Sequence, residues 1–364
     1  MPDQGMNINN NILKKENPQI ENTKLQHNLI YFGAPGTGKS YELNKKVNQF
    51  GDNYERVTFY PTYSYAQFVG TYKPVMKSVS AGKEEISYEF VPGPFLRVLV
   101  QALKNPETNY CLVIEEINRA NAAAVFGDVF QLLDRHTNGV SEYKIATSED
   151  VKKYLFKILG KDSFKLLFSK NLEQIKITQE NLETISISLY IPQNMYIWAT
   201  MNSADQGVFP MDTAFKRRWS FEYIEIDTNE ENAKQAKIEG KNYPWNNVRK
   251  LINGLLSELN VNEDKLMGPF FVKAGNDNII SQKLFESKVL MYLWEDAARM
   301  VRKNLFEDNI KTYSSLIENW GEQGIKIFKG AKEKFENLYN ELESLTTNIV
   351  NAEQIDESVD STNN

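Results

Sequence analysis

The stretch Asn28–Ser40 reads NLIYFGAPGTGKS. Its first part, Asn28-Leu29-Ile30-Tyr31-Phe32, is a short apolar run ending at a glycine, which reads as a buried strand. Its second part, Gly33-Ala34-Pro35-Gly36-Thr37-Gly38-Lys39-Ser40, matches G-x-x-x-x-G-K-[ST] in full, and a helix is expected from about Lys39. The chemistry needs this order. The glycines let backbone N–H groups turn inward around phosphate oxygens without Cβ clashes, and a helix N-terminus adds its positive dipole end. Lys39 supplies a point charge for the outer phosphates, and the Ser40 hydroxyl is a ligand for Mg²⁺. Gly33, Ala34, Pro35, Gly36, Thr37, Gly38, Lys39, Ser40 and Tyr41 are therefore the expected phosphate-binding segment. A glycine-rich turn without a ligand is the alternative, and the flanking strand and helix argue against it.

Outward from this segment, four more strands are expected: Arg56–Tyr60, Tyr110–Ile114, Met195–Thr200 and Phe221–Ile226. Helical spacing lies between them, as in Phe95–Leu103. Strands alternating with helices predict an α/β fold with a five-stranded parallel sheet covered on both faces. The strand at Tyr110 ends in Glu115 and Glu116. Strand alternation predicts that the two carboxylates point in different directions and serve different partners. Glu115 is placed to hold hydrated Mg²⁺ and Glu116 to polarise an attacking water, although two solvated acids at a strand end would look the same alone. Glu115 stands where Asp is usual and is one methylene longer. The strand at Met195 ends in Met201-Asn202-Ser203-Ala204-Asp205, where Asn202 can hydrogen-bond a γ-phosphate or the water. About a dozen residues on, Lys216-Arg217-Arg218 places three cations in a row, which are costly to hold together without anionic partners. An arginine reaching into a neighbouring subunit's site would stabilise transition-state charge; a solvated basic turn is the plainer reading.

In this order GAPGTGKS, VIEEINRAN, MNSADQG and DTAFKRRW resemble the McrB family of AAA+ proteins, with MN-x-AD the most diagnostic element. Phe59-Tyr60-Pro61-Thr62-Tyr63-Ser64-Tyr65, with Phe68-Val69-Gly70 and Lys73-Pro74, is similar to that family's element after the second strand. The resemblance spans roughly residues 28 to 226. It implies hydrolysis of GTP or ATP with Mg²⁺, a GTP preference, a hexameric ring with nucleotide at subunit interfaces, DNA translocation through the ring pore or a partner, and stimulation by a McrC-like nuclease. It also implies that Asn202 is the sensor, that Asp205 belongs to the signature loop, and that Arg217 and Arg218 are interface arginines. Lys216 stands where an arginine is common in the family, and Gln206 where its best-known member type carries arginine.

The chain of 364 residues is long enough for two domains. Residues 1–24 are polar and Asn-rich and are expected to be disordered, and 25–227 form the α/β nucleotide-binding domain with a helical insertion at about 146–180. Residues 228–345 are expected to be a smaller all-helical lid, with a possible short strand at Pro269–Val272. Residues 346–364 carry acids and no Lys or Arg and read as a disordered tail. In the insertion, Tyr154, Leu155 and Ile158 fall on one helical face, as do Phe164, Leu167 and Phe168. Lys152, Lys153, Lys157, Lys161, Lys165 and Lys170 occupy the rest, either as a solvated face or as a surface for a partner or phosphates. About thirty residues precede the phosphate segment, too few for a DNA-reading domain. Sequence reading is then expected from a partner, or the substrate is not methylated DNA.

The bulk numbers exclude other classes. With His27 and His136 as the only histidines, a His-based metal site or catalytic triad is not expected. The single Cys111 allows no internal disulfide and suits a reducing cytoplasm. No run of about 18 apolar residues is present, so no membrane helix is expected. A net charge of -6 argues against wrapping nucleic acid over the whole surface. Two alternatives to the motor remain: a MoxR-like ATPase that remodels protein complexes, and a nucleotide-gated assembly scaffold. A scaffold has no need of a water-activating acid such as Glu116.

Overall fold

The computed structural model describes residues 25–80, 83–168, 178, 182–203, 207–241 and 243–344. The expected disordered ends, 1–24 and 346–364, lie outside the described residues, as do Asp205, Lys170 and part of the insertion.

The first body holds β1 (Asn28–Gly33), α1 (Lys39–Val47), β2 (Tyr54–Thr58), α2 (Tyr65–Phe68), β3 (Gly70–Ser80), β4 (Lys83–Pro92), α3 (Pro94–Lys104), β5 (Tyr110–Glu115) and α4 (Ala122–Phe126). It continues through β6 (Ile145–Ala146), α5 (Glu149–Leu159), α6 (Lys161–Phe168), β7 (Ser188–Leu189), β8 (Met195–Asn202), α7 (Thr213–Lys216) and β9 (Ser220–Tyr223). The five expected strands form one parallel sheet in the order β2-β5-β8-β1-β9. Period-two alternation divides each inner strand between the two faces. Leu29, Tyr31, Cys111, Val113, Tyr196 and Trp198 pack with Leu43 and Val47 of α1 on one face. Ile30, Leu112, Ile114, Ile197 and Ala199 pack with Phe95, Leu96 and Leu99 of α3 and Phe126 of α4 on the other. Each fully buried Leu, Ile, Val or Phe of this set stabilises the sheet by about 1.5–3 kcal/mol.

Cys111 sits at the centre of this packing, fully buried, and burial pushes its thiol well above the usual range. The native protein should therefore resist thiol reagents and take up one label only as denaturant opens the sheet. Rapid labelling without denaturant, followed spectrophotometrically, would contradict this placement.

In this first body two features depart from the sequence expectation. β3 and β4 form a long antiparallel hairpin in addition to the five expected strands. It pairs Met76 with Ile86 and Pro74 with Tyr88, and Met76, Ile86 and Tyr88 stand exposed. The insertion forms the two expected helices, but its buried stripe is Val151, Leu155, Leu159 and Phe164, whereas Ile158 is exposed. Lys152 is not solvated: its side chain is buried, with Nζ donating to Glu149 and to the Ile185 carbonyl at 2.9 Å.

Residues from Ala236 to Leu342 build a second apolar core. It is organised by α8 (Trp245–Glu258), α9 (Gln282–Phe285), two π-helical turns at Glu286–Leu290 and Leu293–Ala297, α10 (Arg302–Leu305), α11 (Tyr313–Gln323) and α12 (Ala331–Lys334). It is mostly helical but not wholly so. Three two-residue strands, β10 (Lys237–Ile238), β11 (Tyr243–Pro244) and β12 (Ile279–Ile280), form a small sheet, while Pro269–Val272 is a turn rather than a strand. The fully buried Arg249 on α8 ties this body to the segment leaving the sheet, at 2.7 Å from Asp227 and 3.6 Å from Glu230.

Candidate functional site

Parallel strands bring their C-terminal ends to one edge, where ligands of open α/β sheets bind. The register does this here: Gly33 at the end of β1 lies opposite Asn202 at the end of β8, and Thr58 of β2 opposite Glu115 of β5. The loop from Gly33 leads into α1, whose N-cap is Gly38 at φ 92°, ψ 21°. Gly36, at φ 77°, shares this left-handed region, where a side chain is strained. Thr37 is fully buried and its hydroxyl donates to the Ala34 carbonyl at 3.0 Å. Lys39 is buried beneath the loop, with Nζ donating to the Gly33 and Ala34 carbonyls at 3.0 and 2.8 Å. Tyr41 stands exposed on α1.

Ser40 and Glu115 come together as the sequence suggested: the Ser40 hydroxyl donates to Glu115 Oε2 at 3.1 Å. A hydroxyl and a carboxylate are hard oxygen donors of the kind Mg²⁺ takes beside substrate phosphates. Among the described residues no group of three or more His, Cys, Asp or Glu is placed to hold a metal. Glu115 has two further partners that the sequence did not reveal. The Thr200 hydroxyl donates to Oε2 at 2.5 Å, and Arg56 of β2 pairs with Oε1. Arg56 also reaches Asn44 on α1.

Glu116 does serve different partners from Glu115, but not through strand alternation. β5 ends at Glu115, and Glu116 adopts φ 55°, ψ 49°, a left-handed conformation costing on the order of 1–3 kcal/mol for a residue of this type. That turn aims its carboxylate at the tip of β8, where Asn202 Nδ2 donates to Oε1 at 2.6 Å. The Thr200 hydroxyl, accepting from the Glu116 backbone N–H at 3.1 Å, fixes the turn. Asn118, buried just after the acids, donates to the Asn202 carbonyl at 2.6 Å and accepts from the Phe209 N–H at 2.7 Å. Glu116, Asn202, Asn118 and Phe209 are thus joined by a chain of hydrogen bonds. The lone hint of Asn118 in the sequence is its place inside VIEEINRAN.

The consecutive arginines separate. Arg218 is buried, 2.7 Å from Asp134, with its guanidinium 3.9 Å over the Phe130 ring and Nη1 donating to the Ala214 carbonyl at 2.6 Å. Arg217, at the end of α7, faces solvent. The two line a cleft of about 400 Å³ with Asp134, His136 and Trp219. Arg218 therefore meets an anion within its own chain.

Residues 28–219 match the family described as "AAA domain (dynein-related subfamily)". The chain is 44% identical over 326 residues to "Type II restriction enzyme BsuMI component YdiS" of Bacillus subtilis (strain 168), an alignment covering 81% of this chain and 86% of that one. It is 27% identical over 211 residues to "Type IV methyl-directed restriction enzyme EcoKMcrB subunit" of Escherichia coli (strain K12), covering 57% of this chain and 37% of the relative.

Proposed function

Because this chain belongs to the dynein-related subfamily of AAA domains and is a P-loop nucleoside triphosphatase related to McrB-type restriction components, we propose that it is a ring motor whose GTP or ATP hydrolysis moves DNA for a McrC-like nuclease in a restriction system. The observation that carries the reading is the single hydrogen-bonded edge on which Ser40, Glu115, Glu116 and Asn202 converge beside the phosphate loop. A nucleotide-gated scaffold would leave Glu116 and its strained turn without a use.

In this reading the loop N–H groups and Lys39 hold the β- and γ-phosphates, Lys39 exchanging its two loop carbonyls for phosphate oxygens. Ser40 and Glu115 would hold Mg²⁺, which would supply positive charge against the phosphates. Arg56 and Thr200 fix the Glu115 carboxylate. Glu116 accepts a proton from the attacking water, and Asn202 holds Glu116 before nucleotide arrives and then the water or γ-phosphate. Arg217 projects from the subunit to stabilise charge in its neighbour's site, in a hexameric ring, while Arg218 keeps α7 rigid behind it.

The test is hydrolysis of GTP and ATP, each with and without the neighbouring gene's product and DNA. Stimulation by a nuclease together with DNA is expected. Stimulation instead by a protein-remodelling partner, with no response to DNA, would move the chain to the MoxR-like reading. Lys39→Ala serves as the internal control: it removes the cation beneath the loop and should abolish nucleotide binding by calorimetry. Tight binding by that variant would sink the phosphate-site assignment.

A further inference from the structure

The outer surface of the phosphate loop is covered by a segment far away in sequence. The backbone N–H of Gly268 donates to the Pro35 carbonyl at 2.8 Å, and that of Phe270 to the Gly36 carbonyl at 2.8 Å. The buried Asn229 side chain donates to the Thr37 carbonyl at 3.2 Å. Three consecutive loop carbonyls thus accept from donors contributed by residues 229–270. The approach leaves no room for side chains. A Cβ on Gly268 would lie 2.4 Å from the backbone of Gly36 and Thr37, and one on Gly36 would lie 2.3 Å from the Phe271 nitrogen.

The far side of this strap is anchored to one face of α8. Trp245 Nε1 donates to the Pro269 carbonyl at 2.8 Å, and Arg249 Nη1 and Asn253 Nδ2 donate to the Met267 carbonyl at 3.1 and 2.8 Å. Asn253 Oδ1 also accepts from the Met267 N–H at 2.9 Å. Residues 245, 249 and 253 recur at helical spacing, so a rigid stripe of α8 fixes the strap's position.

The geometry of the peptide unit gives these contacts a consequence. All peptide bonds described are trans, and in a trans peptide the C=O of one residue and the N–H of the next point in opposite directions. Holding the carbonyls of Pro35, Gly36 and Thr37 outward therefore turns the N–H groups of Gly36, Thr37 and Gly38 toward the cradle side, where a polyphosphate would be bound.

We propose that the Met267–Phe271 strap, with Asn229, is a positioning element for the phosphate loop: α8 holds the loop's carbonyls from outside, so that its N–H groups are set for a polyphosphate before one arrives. The position of the second body then sets phosphate affinity, and a bound polyphosphate in turn favours the docked strap, because linkage between two equilibria is reciprocal. This inference rests on the triphosphatase reading and adds to it the chain segment that tunes binding.

The test compares full-length wild type with Gly268→Ala and Asn229→Ala by calorimetric titration with GTP, ATP and inorganic tripolyphosphate, alongside melting temperature and steady-state kinetics. Losing two aligned backbone hydrogen bonds predicts about tenfold weaker binding or more for Gly268→Ala, and losing one amide predicts a loss of about threefold to tenfold for Asn229→Ala. Tripolyphosphate should follow the nucleotides, because the strap acts on the phosphate cradle and not on the base. At saturating nucleotide, kcat should stay within a few-fold of wild type while KM rises. A strap that merely packs would lower the melting temperature and leave the affinity of the folded protein unchanged, and that result overturns the proposal. Should Gly268→Ala fail to fold, Asn229→Ala decides alone, and wild-type affinity in it overturns the proposal equally. Wild-type protein that binds neither nucleotide defeats the triphosphatase reading itself, whereas a wild type that binds and variants that bind equally well defeat the strap alone.

Discussion

Arg217→Ala should reduce nucleotide hydrolysis by about 10³-fold or more while leaving nucleotide binding to the isolated subunit near the wild-type level. The expectation comes from the different surroundings of two adjacent arginines. Arg217 faces solvent at the end of α7, whereas Arg218 is buried against Asp134 and stacked on Phe130. A guanidinium already paired inside its own chain gives up that pairing to act elsewhere; one at the surface does not. Removing Arg218 should therefore show first as lost stability. Arg218→Ala leaves Asp134 partly buried without its cation, which for a pair of this kind costs on the order of 3 kcal/mol, measured by chemical denaturation. Mixing Arg217→Ala with Lys39→Ala protein should restore part of the activity, because some mixed interfaces join an intact phosphate loop to an intact arginine. Mixtures that demonstrably form rings yet remain inactive would place Arg217's effect within its own subunit. A strictly monomeric protein with full activity would defeat the ring reading.

Glu116→Gln should bind nucleotide normally and lose about 10²-fold or more in the chemical step, read by single-turnover hydrolysis. Gln keeps the shape of Glu and fits the same left-handed turn, but it has no basicity. It also changes the contact with Asn202, since an amide facing an amide can be satisfied by reorientation. The hydrogen-bonded unit of Thr200, Glu116, Asn202 and Asn118 should therefore persist. Loss of turnover with retained folding then reports chemistry rather than collapse of the edge. Near-normal turnover would fall outside this account and move the water-activating role to another group, Asp205 being the remaining candidate.

What was legible in the sequence was what short-range physics controls. The phosphate loop is a local device, with glycines, lysine and serine within eight consecutive residues, and its neighbouring strand and helix were readable from apolar spacing. The order of strands and helices followed from the same periodicities, since a strand buried on both faces appears as a run such as YCLVI. The hairpin β3–β4 was not legible, although Ile86, Tyr88 and Phe90 alternate as a strand should. Pro74 and the surrounding Lys and Glu residues masked it, because a two-stranded ribbon outside the main sheet buries too little to impose a clean apolar face. Ile158 and Lys152 depart from the helical-face expectation for a related reason. An amphipathic stripe is wide enough for several rotations, and its neighbours, here Phe164 and the Ile185 carbonyl, decide which one is buried.

The sequence by itself determined the chemical inventory of this protein and the fold that carries it: a phosphate loop, two acids at a strand end, an amide at the tip of another strand, and an alternating α/β order. Tertiary structure alone decided how those groups divide the work. Arg56 and Glu115 are 59 residues apart, Asn118 and Asn202 84, and no periodicity relates such positions. Strand register and a single left-handed residue at Glu116 bring them into contact. The turn after α7 separates Arg217 from Arg218, which are identical as letters and become distinct when one faces Asp134 and the other faces water. The strap at Gly268 is the clearest case. A glycine there signals a turn in the sequence, yet its reason is the backbone of Gly36 and Thr37, more than two hundred residues earlier, approaching too closely to admit a Cβ. Local sequence encodes propensity and chemistry through bonded and near-neighbour terms; which distant groups satisfy one another is fixed when the two cores close around them.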